Sequence, residues 1–229
     1  LLHRIKAATG AVSAFEIMNR LSVDLVVKNV PNTRDPIPGA PLMALIELEA
    51  MHPRGLRESV EAALAAALET GEAQTALIAE NASQARDFWR VREEISAGHR
   101  PEGAQVNHDV SVPVSKTPEF LAQANAAMER LCPGARIVAF GHMGDGNFHY
   151  TVMQPEGTAA DAFPGERLSQ TVYEIADALG GSISAEHGIG VARTGDLARF
   201  KDPESLALMR TLKRALDPKR IMNPRALLP

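Results

Sequence analysis

Arg136-Ile-Val-Ala-Phe-Gly-His-Met-Gly-Asp-Gly-Asn-Phe-His-Tyr-Thr-Val-Met153 is the stretch on which the fold turns. It reads as two strands, Arg136 to His142 and Phe148 to Met153, joined by a tight turn at Gly144-Asp145-Gly146. On the second strand His149 alternates with Thr151 and Met153, opposite Phe148, Tyr150 and Val152. A hairpin would therefore bring His142 and His149 together at the strand ends, facing the same side. Neutral imidazole nitrogens on a rigid backbone suit a divalent metal, which takes them at about 2.0–2.2 Å. The competing reading is a glycine-rich hairpin that happens to hold two histidines.

Outward from the hairpin, strand and helix signals alternate. Ser13-Ala-Phe-Glu16 reads as a capping box, with Ala14, Ile17, Leu21 and Leu25 behind it at helical spacing. A loop marked by Pro31, Pro36, Pro38 and Pro41 leads into a strand, Leu42 to Leu48. A helix from Leu56 to Thr70 stops at Gly71, and a short strand, Thr75 to Ala79, follows. Asn81 caps a helix running to Gly98, and Ala104 to Pro113 reads as a strand. Thr117-Pro118 opens a helix with Leu121, Ala124, Met128 and Leu131 on one face. After the hairpin come a loop (Pro155 to Gly165), a helix burying Leu168, Val172, Ile175 and Leu179, a helix from Asp202-Pro203 to Asp217-Pro218, and a tail. No repeat or linker interrupts residues 1–229, so one domain is expected. The alternation by itself suggests α/β layers.

Composition excludes several classes. Of 229 residues, 45% are hydrophobic and 23% charged, which argues against disorder and fibrous repeats. No apolar run reaches the roughly 18–20 residues of a membrane span, and the opening lacks a secretory core. The single cysteine, Cys132, fits a reducing compartment, so a cytoplasmic location is expected. A net charge of −4 without a basic block makes nucleic acid an unsuitable partner. The chain begins at Leu1 without an initiating Met, so it is expected to be part of something longer.

Two further constellations carry chemistry. Ser184-Ala-Glu-His-Gly-Ile-Gly190 offers Glu186 and His187 on a pliable turn. Alone it reads as a solvated loop; beside the hairpin it supplies a third ligand, and two His plus one carboxylate leave open positions for catalysis. In Phe88-Trp-Arg-Val-Arg-Glu-Glu-Ile95, Arg92 lies four residues before Ser96 and would suit a carboxylate clamp, or would pair with a nearby Glu at the surface. His3, His52, His99 and His108 have no partner motif, and Cys132 has no neighbouring base. No GxGxxG, P-loop or GxSxG pattern occurs.

Together, Trp89-Arg-Val-Arg-Glu93, Gly141 to His149, Ala185-Glu-His-Gly-Ile-Gly190 and Leu216-Asp-Pro-Lys-Arg-Ile-Met-Asn-Pro224 resemble the C-terminal half of the FAD-linked 2-hydroxyacid dehydrogenases and oxidases. That family includes D-2-hydroxyglutarate and D-lactate dehydrogenases and the glycolate oxidase D subunit. The resemblance implies an α+β fold: a largely antiparallel, ferredoxin-like sheet with helices packed on one face and a C-terminal helical segment. It implies a divalent metal (zinc, manganese or iron) on His142, His149 and Glu186, with His187 as the catalytic base. It further implies Arg92 and Ser96 on the substrate carboxylate, Asn107 and Thr151 near its distal end, and Asn223 towards the flavin. Where dicarboxylate-specific members carry a Lys and an Asn, this chain has Asn107 and Thr151, which leaves a monocarboxylate or another 2-hydroxy acid open.

The implied partners are a 2-hydroxy acid, an FAD-binding domain or subunit, an electron acceptor and, compatibly, a second copy of the chain. An exposed apolar face is expected where the flavin half docks. The alternative from another class is a non-catalytic metal-binding module that docks a separate flavoprotein. FAD in the family is held mainly by a domain preceding these residues. Purified alone, the chain is therefore expected to be colourless and inactive towards 2-hydroxy acids; a flavin absorption band surviving gel filtration at near-equimolar level would contradict this.

Overall fold

The computed structural model describes residues 1–228. In chain order the elements are α1 (Leu2–Thr9), β1 (Val12–Asn19), α2 (Arg20–Asn29), β2 (Leu42–Leu48), α3 (Leu56–Glu69), α4 (Ala82–Glu93) and α5 (Ile95–His99). They continue with β3 (Gln105–Ser111), α6 (Thr117–Leu131), β4 (Arg136–His142), β5 (Asn147–Met153), α7 (Gly165–Ala178), α8 (Thr194–Phe200) and α9 (Pro203–Leu216). The strands form one sheet in the order β2-β1-β4-β5-β3, and every neighbouring pair is antiparallel. This is the α+β architecture expected from the resemblance, not the layered α/β arrangement that alternation alone suggests.

Strand alternation sends side chains to two different layers. Phe15, Ile17, Val110, Ala139, Phe148, Tyr150 and Val152 meet Phe120, Ala124 and Met128 of α6 and Leu168, Val172 and Tyr173 of α7. On the other face Met18, Met43, Val138, Phe140 and Met153 meet Val23, Leu25 and Val26 of α2, with Val91 and Ile95. Helices thus cover the first face and part of the second, where the resemblance implied helices on one face, because α2, α4 and α5 bury the apolar residues that alternation sends to the other side. Where the second apolar layer ends, the same face turns polar with Glu16, His142, His149, Thr151, Asn107 and Asp109, as the pairings Glu16↔His142, Asn107↔Thr151 and Asp109↔His149 require.

The fold departs from the local sequence signals at several places. Ser13–Glu16 is strand β1, not a helix start. Phe15, Glu16, Ile17 and Met18 are all buried, so this central strand shows no clean alternation and its apolar residues mimic helical spacing. The true cap is Asn19, whose side chain accepts from the Ser22 amide at 3.1 Å and from the Ala139 amide at 3.2 Å. Thr75–Ala79 belongs to no strand, because the sheet ends on that side at β2. Thr117 lies inside α6, and its hydroxyl donates back to Val114 O. Helix α8 has no counterpart in the sequence reading. The helix begun at Asn81 breaks at Glu94 into α4 and α5.

His108 is buried on the α6/α7 side, with Nδ1 2.7 Å from Tyr150 O, Nε2 2.9 Å from Ser169 Oγ and its ring edge-on to Tyr173. Burial pushes its pKa down to about 4. Between an ordinary unfolded value near 6.5 and that folded value, the unfolded chain binds the extra proton, so stability is full above the window and lost as pH falls through it. Chemical denaturation from pH 7.5 to 4.5 is expected to show this loss, on the order of 3 kcal/mol at its acid end. His108→Phe should flatten the slope, leaving the contributions of His99 and His149, whose pKa values burial also lowers.

Candidate metal and substrate site

The hairpin histidines are held by backbone packing that only glycine permits. A Cβ on Gly141 would lie 2.1 Å from Asn147 O. Gly146 has φ +77°, and a Cβ there would lie 2.0 Å from Val112 O. The turn therefore seats against the end of β3, where the Val112 amide donates to Gly146 O at 3.1 Å. Phe140 pairs with His149 across β4 and β5, which leaves His142 diagonal to His149 on the same face. Their ring centroids are 5.9 Å apart and nearly perpendicular.

Glu186 and His187 arrive from a distant segment. Ser182 exchanges both backbone hydrogen bonds with Ser111, and the Ala185 amide donates to Asp109 O at 3.0 Å. The Asp109 side chain, wholly buried, then accepts the amides of Glu186 at 2.8 Å and His187 at 2.7 Å through Oδ2. This puts Glu186 Oε1 3.3 Å from His149 Nε2 and Oε2 3.9 Å from His142 Nε2. His187 stacks on His149 with centroids 5.3 Å apart.

The donor set fits a divalent cation. Ligand-capable atoms of Asp109, His149, Glu186 and His187 all lie within 4.8 Å of one another, and His142 joins them through Glu186. Asp109 Oδ1 is buried without a hydrogen-bond partner, 4.0 Å from His149 Nδ1. Such an orphaned anion is costly unless positive charge is near. Burial and the nearby Arg92 cation lower the His149 pKa, which favours the neutral imidazole that a metal requires. Nitrogen and carboxylate donors of this kind accept zinc, manganese or iron.

Arg92 is buried, not a surface residue. Its Nε donates to Glu16 Oε2 at 2.8 Å, its Nη2 forms an ion pair with the same oxygen at 2.7 Å, and its guanidinium lies 4.6 Å from the Phe140 ring centre. The other Glu16 oxygen, Oε1, is 2.7 Å from His142 Nδ1. Thr151 Oγ1 donates to Asn107 Oδ1 at 2.8 Å, with Thr151 buried and Asn107 exposed on the same face of β3 as Asp109. Ser96 is exposed on α5, and no hydrogen bond among the described residues ties it to the cluster. Asn223 is exposed in the tail at φ +46°. That tail returns to the site loop, where the Leu227 amide donates to Gly190 O at 2.7 Å.

Sequence reasoning missed Glu16 and Asp109. For Asp109 a signal existed: Gln105, Asn107, Asp109 and Ser111 alternate with Val106, His108 and Val110, marking a polar strand face. Glu16 was masked by its reading as a capping residue.

The sequence matches the family described as "FAD linked oxidases, C-terminal domain" over residues 1–227, and the chain belongs to that family. It is 37% identical over 231 residues to the mitochondrial D-2-hydroxyglutarate dehydrogenase of Arabidopsis thaliana, covering 100% of this chain and 40% of that protein. Over 176 residues it is 37% identical to the D-2-hydroxyglutarate dehydrogenase of Xanthomonas citri pv. viticola, covering 73% of this chain and 36% of the relative. The chain thus spans about 40% of the length of the curated relatives it matches. Its fold is similar to that of a 4-ethylphenol oxidase from Gulosibacter chungangensis, with a TM-score of 0.55, 13% identity, and coverage of 92% of this chain and 46% of that one.

Asp109→Ala removes the acceptor that pins Glu186 and His187. Bonds to a charged group contribute about 1.5–3 kcal/mol each, so exchange of these two amides is expected to quicken by about tenfold or more. The β4–β5 amides should stay protected; unchanged exchange at Glu186 and His187 would show that the loop is held by other contacts.

Proposed function

We propose that, as a member of this family, the chain forms the substrate- and metal-binding half of an FAD-dependent enzyme that oxidises a D-2-hydroxy acid to the 2-oxo acid. The observation that carries this reading is the convergence of His142, His149 and Glu186, with His187 stacked alongside, on the polar part of one sheet face. His142, His149 and Glu186 are the proposed metal ligands, with Asp109 close behind His149. When bound, a divalent metal supplies a Lewis acid for the substrate hydroxyl, and the flavin supplies the acceptor for the α-hydrogen and its electron pair.

The chain's own residues do the rest. His187 is more than half exposed, so its imidazole is open to a substrate and takes the hydroxyl proton as general base. Arg92 keeps Nη1 free of hydrogen bonds among the described residues, and that group orients the substrate carboxylate. Ser96 is assigned to the same carboxylate on the family pattern. Asn107 and Thr151 hydrogen-bond each other and bring no positive charge to the distal end of the substrate, which favours a 2-hydroxy acid without a second carboxylate there.

FAD is held mainly by a domain or subunit beyond these residues, with Asn223 assigned to the flavin side on the family pattern. An apolar groove of about 1350 Å³ along the unpaired edge of β2, lined by Ile46, Leu56, Leu64, Leu77 and Trp89 among others, offers it a surface. So does an exposed stripe on α9 and the tail, Leu208, Leu212, Leu216 and Ile221. The electron acceptor and any homodimer partner are assigned no residue. No helix among the described residues is long and apolar enough to cross a membrane. A cytoplasmic site rests on the single cysteine alone, and the plant relative carries a mitochondrial name.

The test combines the chain with its flavin half and compares D-lactate, glycolate and D-2-hydroxyglutarate before and after chelation. Turnover of a 2-hydroxy acid, abolished by chelator and restored by zinc or manganese, is the expected result. His187→Asn should cut kcat roughly 100-fold or more while metal content is kept. Metal binding without turnover of any 2-hydroxy acid would favour the non-catalytic docking module.

A further inference from the structure

We propose that Glu16, on β1, is a positioning residue that presents His142 to the metal and ties that ligand to Arg92. This rests on the metal reading above and adds a residue to it that no sequence motif marks. Glu16 is almost fully buried, and its two oxygens serve different partners. Oε1 faces His142 Nδ1 at 2.7 Å, and Oε2 takes both Nε and Nη2 of Arg92.

An ionised carboxylate only accepts hydrogen bonds, so a contact this short requires the proton to sit on His142 Nδ1. In the neutral imidazole Nε2 is then bare, and Nε2 is the nitrogen that faces Glu186. The other tautomer would put a hydrogen on Nε2, pointing towards Glu186, and would set two acceptors against each other at Nδ1. Carboxylates behind ligating histidines fix ring orientation and raise ligand basicity in this way. Arg92 in turn pairs with Glu16 and fixes it at depth, where a lone carboxylate would be expensive. The chain Arg92–Glu16–His142 therefore joins the carboxylate-orienting cation to a metal ligand through one buried side chain. Disturbing Arg92 should be felt at the metal although Arg92 ligates nothing.

Two measurements test this independently. In the metal-free protein at mildly alkaline pH, side-chain 15N spectra, with the His142 signals assigned through His142→Gln, should show the Nδ1–H tautomer at that residue. A dominant Nε2–H tautomer would overturn the proposal whatever happens with metal. Separately, zinc and cobalt affinities from chelator competition should fall roughly 10–100-fold in Glu16→Gln, with an altered cobalt ligand-field spectrum. A folded Glu16→Gln protein that binds as tightly as the parent would also overturn it. If the parent itself binds no metal, the metal reading fails, and the tautomer alone decides the role of Glu16. A merely structural Glu16 would lower the melting temperature without moving either readout.

Discussion

Asp109 is the interaction on which the site depends. Its carboxylate is wholly buried on β3 and accepts the two consecutive amides that carry Glu186 and His187. These residues lie 77 and 78 positions further along the chain, and the loop around them has no regular secondary structure. The loop's own backbone is tied to β3 only up to Ala185, and the side-chain grip extends that hold to Glu186 and His187. The grip carries an electrostatic consequence: one oxygen is left unpartnered beside His149, in surroundings where an uncompensated charge is costly. Loop anchoring and the proposed ligand binding therefore meet in one side chain, as expected where a protein keeps a polar group in an apolar setting for use.

The sheet divides its labour within a single face. Near α2, α4 and α5 the face is apolar and closed; past Phe140 and Met18 it is polar and carries the charged groups. Phe140 stands at the border, under the Arg92 guanidinium and against His149. It gives both cationic and neutral groups a stiff apolar floor. The Glu16–Arg92 pair sits at the same border. A buried pair of this kind is weak evidence for stability, since desolvation offsets most of its attraction. Its value lies in direction, because each oxygen of Glu16 has a separate partner and cannot rotate without losing one.

Membership of the FAD-linked oxidases and the antiparallel sheet agree with each other, while the substrate side diverges from a simple transfer of the relatives' name. The Arabidopsis and Xanthomonas relatives are both D-2-hydroxyglutarate dehydrogenases. Yet the two positions proposed above for the distal end of the substrate, Asn107 and Thr151, are a neutral pair joined by a hydrogen bond. A carboxylate arriving there would find no cation from that pair.

Much of the fold was legible in the residues. The hairpin, the caps at Asn81 and Asp202 and the period of α6 and α7 follow from local chemistry, and local chemistry does not depend on what lies across the sheet. The two hairpin histidines share a face because alternation has period two and the turn is short. By contrast, β1 was misread because a strand buried on both faces has no polar side to reveal its period. Glu16 and Asp109 were overlooked for a related reason: a carboxylate's role is set by what lies opposite it, and their hydrogen-bond partners are at least 76 residues away. Sequence by itself determined which residue types were on hand and which elements would carry them. Only tertiary structure decided which carboxylates were stripped of water and set behind which nitrogens, because desolvation and pairing belong to the packed sheet and not to any one segment of the chain.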